Sequence, residues 1–478
     1  MQDMAGKPSK SRRISLFARL ILGISWDFWR ESRLSRKVGF KEAERRMEAR
    51  HRRRAIKFRE TAVELGGVLI KLGQFMSARV DVMPEPYIME LMKLQDEVPP
   101  EDYPLIKSLI ESELGRPIDE IFQTFNPVPR AAASLGQVHE AILNTGEKVA
   151  VKVQRPGIEE LIDIDMGTLA YIMEGLNRFT HVGDRIDIMG LLDVFSRVLG
   201  EELDFLREAD SAERFALDFK EDALVFIPKV HWAYTTDRIV TLEYVEGIKI
   251  NDYSVLDDAG IDRHRVAQIL VDIYVRQFLE HGFFHADPHP GNIFVLPGPR
   301  LALVDFGMMG DITTEARDRF IDVLLAIIAR DAGDTIEAAI DLGFIRKGAN
   351  LTPIRNALEW AFSRYTGVTT AKDITLANID EIQEDIRMIL RDYPFNMPVD
   401  FAYLGKTFGT LIGLISGLDP DFDIIEEAQP YINKLRSEIQ FDILTKKIKK
   451  TILMLIGLPD RLDKILTRAE KVLAKEDR

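Results

Sequence analysis

The chain has 478 residues, of which 46% are hydrophobic, so it can bury more than one apolar core and a disordered protein is excluded. It contains no cysteine, which excludes a disulfide scaffold and any thiolate nucleophile or metal site, and suits a reducing cytoplasm. The net charge of -14 is unevenly distributed, because residues 1–60 carry 18 Lys and Arg against 7 Asp and Glu, a net +11 that leaves -25 for the remainder.

The basic amino-terminal segment, residues 1–58, is predicted to form a separate arm. No aromatic stacking platform accompanies its charge, so nucleic acid is not expected as a partner, and a membrane surface is favoured over a solvated basic helix. The apolar run from Ile14 to Trp29 is interrupted by Arg19 and Asp27 and is shorter than the ~20 apolar residues that span a bilayer. No small-residue cleavage site follows it, so a secretory signal is not expected. We therefore predict a cytoplasmic protein, peripheral at the membrane face, without a transmembrane helix.

Helical periodicity follows the arm and then gives way to strand patterns. Between residues 41 and 79, apolar residues recur every three or four positions, which predicts a helix, and four prolines between residues 84 and 100 mark a connection. Residues 137–143 and 148–154 are β-type runs separated by Asn144-Thr145-Gly146, a sequence typical of a hairpin turn. This hairpin predicts the start of a sheet.

The middle of the chain predicts a mixed α+β lobe. Residues 158–220 return to helical periodicity, and two further β-type runs follow at residues 225–230 and 238–245. Helices and strands thus alternate within one lobe.

The second half of the chain is predicted to be mostly helical beyond Gly247. Two short strand-like runs, residues 292–295 and 301–304, flank a Gly-Pro turn and are placed to carry loop residues into a cleft. Residues 431–478 are amphipathic and rich in Lys and Arg. Three glycines at every fourth position favour close helix packing over a membrane dimer face: Gly409, Gly413 and Gly417.

The strongest chemical signal is the segment HADPHPGN from His285 to Asn292, followed thirteen residues later by Asp305 of a DFG sequence. An Asp five residues before an Asn, with a DFG Asp beyond, is the spacing of kinase catalytic loops. It predicts that Asp287 is the base facing the acceptor hydroxyl, and that Asn292 and Asp305 bind Mg²⁺, which prefers oxygen ligands. A zinc site formed by His285, Asp287 and His289 is less favoured, because zinc would require a further ligand.

The residues expected to bind ATP lie upstream. Lys152 in the sequence VAVK matches the strand lysine that contacts the α and β phosphates. The preceding segment occupies the place of a glycine-rich phosphate loop but is rich in alanine; the residues expected to cover the phosphates are Ala131, Ala132, Ala133 and Ser134. Because alanine is less flexible than glycine, we expect a stiffer loop with altered nucleotide selectivity or turnover. The strand end LEYVEG predicts an interlobe hinge, where the backbone near Glu243 and Val245 binds adenine; a generic strand end is the alternative.

A kinase lysine needs a carboxylate partner on a neighbouring helix, and Glu208 is the candidate. The segment from Glu202 to Glu208 is interpreted as helical, with Asp204 and Glu208 on a shared face. More residues separate Lys152 from Glu208 than in an ordinary protein kinase, which predicts a helical insertion in the small lobe.

Together with KLGQ at Lys71 to Gln74, these motifs closely resemble the UbiB family of atypical kinases, also called the AarF or ADCK family, over roughly residues 60–430. The matching motifs are KxGQ, the alanine-rich loop, ExD at Glu202 to Asp204, HxDPHPGN and DFG. The resemblance implies an α+β, bilobal protein-kinase-like fold in which the KxGQ helix packs over the cleft. It places Lys71 and Gln74 near the nucleotide and the ExD acids.

We therefore expect five segments: the basic arm 1–58, a helical KxGQ extension 59–128, a kinase-like N-lobe 129–245, a C-lobe 246–430 and an amphipathic helical tail 431–478. A helix over the cleft would obstruct a bulky protein substrate. The helical run predicted from Thr314 to Arg330 follows DFG closely and without an APE sequence, which leaves no room for a long activation segment.

The resemblance implies an ATPase or small-molecule kinase that uses ATP and Mg²⁺ and supports isoprenoid-quinone biosynthesis of the ubiquinone type. Its implied partners are a lipid membrane surface, anionic or isoprenoid, and enzymes of quinone biosynthesis. A nucleotide-binding scaffold without useful turnover is the alternative, favoured by the alanine-rich loop and the obstructed cleft. A flavin-dependent hydroxylase is disfavoured, because no strand-linked GxGxxG sequence occurs.

Overall fold

The structure is a computed structural model, and it describes residues 10–77, 79, 83–94, 99–179, 188–345, 348, 350–364, 399–424, 426, 427, 430 and 431. The chain divides into two compact units, residues 1–422 and 423–478. The predicted amphipathic tail lies outside the described residues apart from Tyr431.

The amino-terminal part of the chain is helical. Its helices are α1 (Lys10–Val38), α2 (Phe40–Leu65), α3 (Val68–Ser77), α4 (Glu85–Leu91), α5 (Tyr103–Leu114) and α6 (Ile118–Ile121). The single helix predicted between residues 41 and 79 is wrong in one respect, because Gly66 and Gly67 adopt φ values of 64° and 58° and interrupt it. The KxGQ sequence therefore occupies its own short helix, α3. The expected boundary after residue 58 falls inside α2.

Helices α1 and α2 form a hairpin that turns at Gly39, where φ is 82°. Only part of the apolar surface of α1 faces inward: Phe17 is fully buried, and Leu20 and Ile21 are each 5% exposed. Asp27, which interrupts the apolar run of α1, is also fully buried, and it accepts hydrogen bonds from Arg50 and Arg54 of α2, the latter at 2.9 Å. Part of the basic charge of the amino-terminal segment is thus compensated within the hairpin. No helix in the described ranges is long and apolar enough to cross a membrane.

Eleven strands occur in the described residues. They are β1 (Phe122–Phe125), β2 (Ala131–Ala132), β3 (Gly136–Leu143), β4 (Lys148–Gln154), β5 (Val225–Phe226), β6 (Ile239–Glu243), β7 (Ile248–Lys249), β8 (Phe283–His285), β9 (Ile293–Leu296), β10 (Arg300–Leu303) and β11 (Met309–Asp311). The first sheet is antiparallel, in the order β1-β3-β4-β6, with β2 also paired to β3. Val149, Val151 and Val153 of β4 are fully buried, and since side chains alternate along a strand, Lys152 lies on the other face.

The predicted helical insertion forms between β4 and β5. It consists of α7 (Ile158–Phe179), α8 (Ile188–Leu203) and α9 (Phe205–Asp218). Helices α7 and α8 share one apolar core with α1, α2, α3 and α4, in which Leu69, Tyr87 and Phe195 are buried. The insertion therefore connects the KxGQ helix to the first sheet.

The second half contains helices and two small sheets. The helices are α10 (Tyr253–Asp258), α11 (Arg263–Arg276, continued by a π-helical turn to His281), α12 (Thr314–Ile328), α13 (Ala332–Asp341), α14 (Thr352–Arg364) and α15 (Val399–Leu418). One sheet has the order β5-β10-β9-β7, in which β5 and β10 are parallel, and β8 pairs with β11. These two halves together form the expected α+β, kinase-like fold.

The chain reaches helix α12 almost directly after the DFG sequence. Strand β11 pairs with β8, with Met309 opposite His285, and the Ile312 amide donates a hydrogen bond to the Gly282 carbonyl at 2.7 Å. Helix α12 begins at Thr314, so the expected absence of a long activation segment is confirmed.

Candidate active site

Three motif residues from distant parts of the sequence meet in one charged cluster. The Nζ atom of Lys152 on β4 lies 2.8 Å from Oε1 and 2.9 Å from Oε2 of Glu208 on α9, and 3.0 Å from Oδ1 of Asp305. The Phe205 ring lies 5.3 Å from the same ammonium. The expected pairing of Lys152 with Glu208 is thus present in the structure, and the lysine also contacts the DFG carboxylate.

The pKa values of Glu208 and Asp305 depend mainly on burial and on the charge of Lys152. The side chain of Glu208 is 2% exposed, and its burial raises the pKa to about 7. The charge of Lys152 acts in the opposite direction but does not outweigh burial. For Asp305, burial acts to raise the pKa, but its side chain is 45% exposed and the ammonium of Lys152 outweighs this effect, so the pKa falls to about 2. Burial also acts to lower the pKa of Lys152, but the carboxylates of Asp305 and Glu208 raise it. Lys152 and Asp305 are therefore both ionised near neutral pH.

The backbone of Asp305 is held in an unusual conformation. Its φ is 63°, in the left-handed region that residues other than glycine seldom adopt. The Gly307 amide donates to Oδ1 of Asp305 at 3.3 Å, and Nε2 of His285 lies 2.8 Å from the Asp305 carbonyl. His285 is fully buried, and its own amide donates to Oε1 of Gln277 at 2.8 Å. These contacts fix the direction of the Asp305 side chain, and strained backbones of this kind are common at functional sites.

The catalytic loop is joined by a backbone hydrogen bond to the residue that precedes Asp305. Nδ2 of Asn292 donates to the backbone carbonyl of Asp287 at 3.1 Å, and the Val304 amide donates to the Asn292 carbonyl at 2.9 Å. The second bond ties the loop to the residue that precedes Asp305. In the described part of the chain, no three His, Asp or Glu side chains are grouped so that they could hold a metal ion by themselves.

The KxGQ and ExD motifs meet beside the cluster. Nζ of Lys71 on α3 lies 2.6 Å from Oε2 of Glu202, and each side chain is 10% exposed. The charge of Lys71 contributes to the lowered pKa of Asp305, and Glu202 contributes to the raised pKa of Glu208, so the two ion pairs are electrostatically coupled. Nε2 of Gln74 donates to the Leu94 carbonyl at 3.2 Å.

Two cavities adjoin these ion pairs. One is bordered by Glu202, Glu208 and Gly307, and the other by Lys71, Gln74 and Glu202. Met308, the residue that follows the DFG sequence, borders both, so the KxGQ helix shares a cavity with the end of the DFG segment.

The alanine-rich segment forms a turn that is held by hydrogen bonds, a tied turn, and not a free loop. Ala131 and Ala132 pair with β3, and the Ala133 amide donates to the Gly136 carbonyl at 2.8 Å. Nε of Arg155 donates to the Ala133 carbonyl at 2.9 Å, and Ser134 is 1% exposed. The expectation of a stiff loop is consistent with these bonds.

The expected hinge follows strand β6. The Glu243 amide donates to the Lys229 carbonyl at 2.8 Å, and the Tyr244 amide donates to the Lys148 carbonyl at 3.0 Å, so both amides belong to the sheet. Among the described residues, Val245 makes no backbone hydrogen bond to another backbone group.

One predicted site residue lies apart, and one active-site residue was missed. Asp204 is exposed and caps helix α9, where its Oδ1 accepts a hydrogen bond from the Arg207 amide at 3.0 Å. The predicted common face of Asp204 and Glu208 does not form, because the helix is interrupted at Asp204. The missed residue is Lys406 of α15, whose Nζ lies 3.0 Å from Oδ1 of Asp287. No sequence motif pointed to Lys406, because it is 119 residues from its partner.

The chain matches a known protein family over about half of its length. The family model of the ABC1 atypical kinase-like domain matches residues 93–339. This range includes Lys152, Glu208 and Asp305, and it ends before α14 and α15.

Related chains match over a longer range. A Synechocystis protein, sll1770, is 37% identical over 469 residues, which cover 96% of this chain and 79% of its own length. The Arabidopsis thaliana protein named ACTIVITY OF BC1 COMPLEX KINASE 7, chloroplastic, is 39% identical over 82% of this chain, which spans only 56% of that relative. A solved Mycobacterium tuberculosis structure, the Rv3197–erythromycin complex, matches 77% of this chain and 92% of the Mycobacterium chain, with a TM-score of 0.54 and 23% sequence identity. This match supports the fold alone. The chain therefore belongs to the ABC1 atypical kinase-like family, which is the family also known as UbiB or ADCK.

Proposed function

We propose that this protein binds Mg-ATP and either hydrolyses it or transfers its γ-phosphoryl group to a small molecule. The observation that carries the proposal is the contact of Lys152 with both Glu208 and Asp305, at 2.8 Å and 3.0 Å. Active kinases require a strand lysine paired with a helix glutamate and a DFG aspartate available to the metal, and both are present here within one cluster. In this proposal the backbone near Glu243 and Val245 binds adenine, and the alanine-rich turn covers the phosphates.

Asp305 and Asn292 fit the requirements of a magnesium site. Asp305 is held ionised by Lys152, and Asn292 donates through Nδ2, which leaves its amide oxygen for a cation. Mg²⁺ commonly binds through one or two protein oxygens together with phosphates, and it neutralises their charge during transfer. In this proposal Asp287 accepts the proton of the acceptor hydroxyl or water.

The proposed acceptor is small. Helix α3 lies beside the cavity through Lys71, and the chain between Gly307 and Thr314 contains only strand β11 and short connections. This leaves little of the segment on which protein kinases bind peptide substrates. We further propose a role in isoprenoid-quinone biosynthesis, with enzymes of that pathway as partners, which rests on the family resemblance. We also propose that the chain consists of a KxGQ extension, an N-lobe, a C-lobe and a tail, with the amino-terminal segment joined to the extension through helix α2.

Thermal stabilisation by nucleotide is the direct test of binding. A ligand that binds only the folded state raises its melting temperature, and the shift grows with ligand concentration. Wild type should be stabilised by Mg-ATP and less by ATP with EDTA, and Asp305→Asn should lose the metal-dependent part. Asp311→Asn is a matched control, because Asp311 is an exposed carboxylate six residues further on, with a surface partner, Arg214. Equal shifts in all three proteins, or none in folded wild type, would refute the proposed site.

Phosphate release separates turnover from binding. Asp287→Asn should keep the Mg-ATP stabilisation and reduce turnover by about 10²-fold or more, because positioned proton transfer contributes roughly 10²–10⁴-fold. The measurement is phosphate release at saturating Mg-ATP. Unchanged turnover in this variant would remove Asp287 from the mechanism.

A nucleotide-binding scaffold is the second candidate, and the tied alanine-rich turn favours it. Arg155 bonds the Ala133 carbonyl and also pairs with Glu101 at 2.8 Å, which restricts closure over phosphate. In that case Mg-ATP would stabilise the wild type, but its phosphate release would not exceed the background rate measured without protein.

We also propose that helix α1 contacts an anionic membrane surface, as a peripheral, cytoplasmic protein would. Leu22 and Trp26 are 52% and 55% exposed, Trp29 is 37% exposed, and the two tryptophan rings stack at 4.8 Å. Arg33 lies 5.3 Å from the Trp29 ring, and interfacial helices combine aromatic and basic residues in this way. The double variant Trp26→Ser/Trp29→Ser should lose co-sedimentation with phosphatidylglycerol vesicles. Binding that is equal in both proteins would exclude this face.

A further inference from the structure

The carboxylate of Asp287 is paired with a residue that no kinase motif contains. Nζ of Lys406, on helix α15, lies 3.0 Å from Oδ1 of Asp287. The family match ends at residue 339, so this helix lies beyond it.

Helix α15 is fixed to the catalytic loop at the position of Lys406. The next residue, Thr407, is fully buried, and its Oγ1 donates to the Ala286 carbonyl at 3.0 Å. Two consecutive residues of the helix therefore contact two consecutive residues of the loop. At the helix end, Nη1 of Arg263 donates to the Gly417 carbonyl at 3.2 Å, and a Cβ on Gly417 would lie 1.9 Å from Oη of Tyr253. The register of the helix is thus specified at both points.

Lys406 is the contact that orients the Asp287 side chain. The backbone carbonyl of Asp287 accepts hydrogen bonds from Nδ2 of Asn292 at 3.1 Å and from the His289 amide at 2.7 Å, which fix the main chain. Within the described residues, Lys406 is the hydrogen-bond donor to the carboxylate, and Oδ2 receives none. Oδ2 is therefore the oxygen that can face an acceptor hydroxyl or water.

The pair is poorly placed to serve stability alone. The Lys406 and Asp287 side chains are 27% and 26% exposed, and ion pairs with access to solvent contribute little to folding. Lys406 also borders the cavity shared by Lys71, Gln74 and Glu202. Its ammonium therefore adds a second cation, beside Lys71, to the lining of this cavity.

We infer that Lys406 is a positioning residue for phosphoryl transfer, whose ammonium holds the Asp287 carboxylate with Oδ2 directed at the acceptor. The inference rests on the proposed function, in which Asp287 accepts the acceptor proton. A misplaced proton acceptor slows the chemical step, because the carboxylate no longer lies in line with the acceptor hydroxyl. The affinity for the nucleotide should not change, because the nucleotide contacts are intact.

The test compares Lys406→Gln, which removes the charge, with Lys406→Arg, which keeps it. Lys249→Met is the matched control, because Lys249 is an exposed lysine on β7. Each full-length protein is measured for Mg-ATP thermal stabilisation and for kcat and KM of phosphate release. We expect kcat to fall about 10- to 100-fold in Lys406→Gln with the ATP KM changed less than about threefold, and Lys406→Arg to recover at least about a third of the wild-type rate. The control should match wild type.

Other outcomes would overturn the inference in distinct ways. Wild-type kcat in Lys406→Gln would remove Lys406 from the reaction, and a raised ATP KM at unchanged kcat would make it a nucleotide ligand instead. An arginine variant as slow as the glutamine variant, with both as stable as wild type in urea, would exclude the charge as the cause. If wild type itself neither binds nor hydrolyses ATP, the proposed function fails before Lys406 is in question.

Discussion

Replacing Arg13 with methionine should destabilise the protein strongly, although Arg13 lies in the basic amino-terminal segment. Its guanidinium forms a double hydrogen bond with Asp165 of α7, with Nε to Oδ1 at 2.7 Å, and the two side chains are 4% and 2% exposed. Nη2 of Arg13 also donates to the Gly66 carbonyl at 3.3 Å, at the end of α2. Removing one partner of a buried pair leaves an uncompensated charge, so we expect a loss of about 3–5 kcal/mol in the free energy of unfolding.

Equilibrium unfolding in urea measures this loss, and two variants control it. Arg12→Met should cost no more than about 1 kcal/mol, because Arg12 is 50% exposed and lies 3.4 Å from Glu64 at the surface. The double variant Arg13→Met/Asp165→Leu should recover most of the stability, since an apolar pair has no charge to desolvate. If Arg13→Met were as stable as Arg12→Met, the amino-terminal segment would be a separate arm and the reasoning from burial would be wrong.

Three further predictions concern the fold around the site. Gly310→Ala should cost about 1–3 kcal/mol in a thermal or urea melt, because its Cβ would lie 2.1 Å from the buried Phe284 ring; unchanged stability would mean that β8 and β11 can separate. Asp204→Ala should cost about 0.5–2 kcal/mol through the lost helix cap yet keep the full Mg-ATP thermal shift, and loss of that shift would place Asp204 in the site. Burial lowers the pKa of His139 from 6.5, so below pH 6.5 the folded state binds fewer protons than the unfolded state. The free energy of unfolding should therefore fall as the pH decreases below 6.5, by at most about 1.4 kcal/mol per pH unit. His139→Gln should flatten this dependence in urea titrations between pH 7 and 5, and an identical slope would assign it to other groups.

The motifs could be predicted from the sequence because each depends on local spacing. Lys152 follows from strand alternation after a hairpin turn, and the distance from Asp287 to Asn292 follows from the loop that joins two short strands. The break at Gly66 was not predicted, because apolar periodicity continues across it and only the positive φ reveals it. The helical position predicted for Asp204 was wrong for a similar reason. The spacing of acidic residues three and four positions apart is the same whether the first of them caps the helix or lies within it.

The sequence by itself determined the kinase-like motifs, their order and the insertion between Lys152 and Glu208, because these properties depend on residue type and spacing along the chain. Only the tertiary structure decided which charges are paired. Asp27 looked like an interruption of an apolar run, but it is buried between α1 and α2 with two arginines. Lys406 belongs to no motif, but in the fold it contacts the candidate base. The first pairing joins two helices and the second joins a helix to a loop, and the energy of both comes from proximity and burial, which spacing along the chain does not encode.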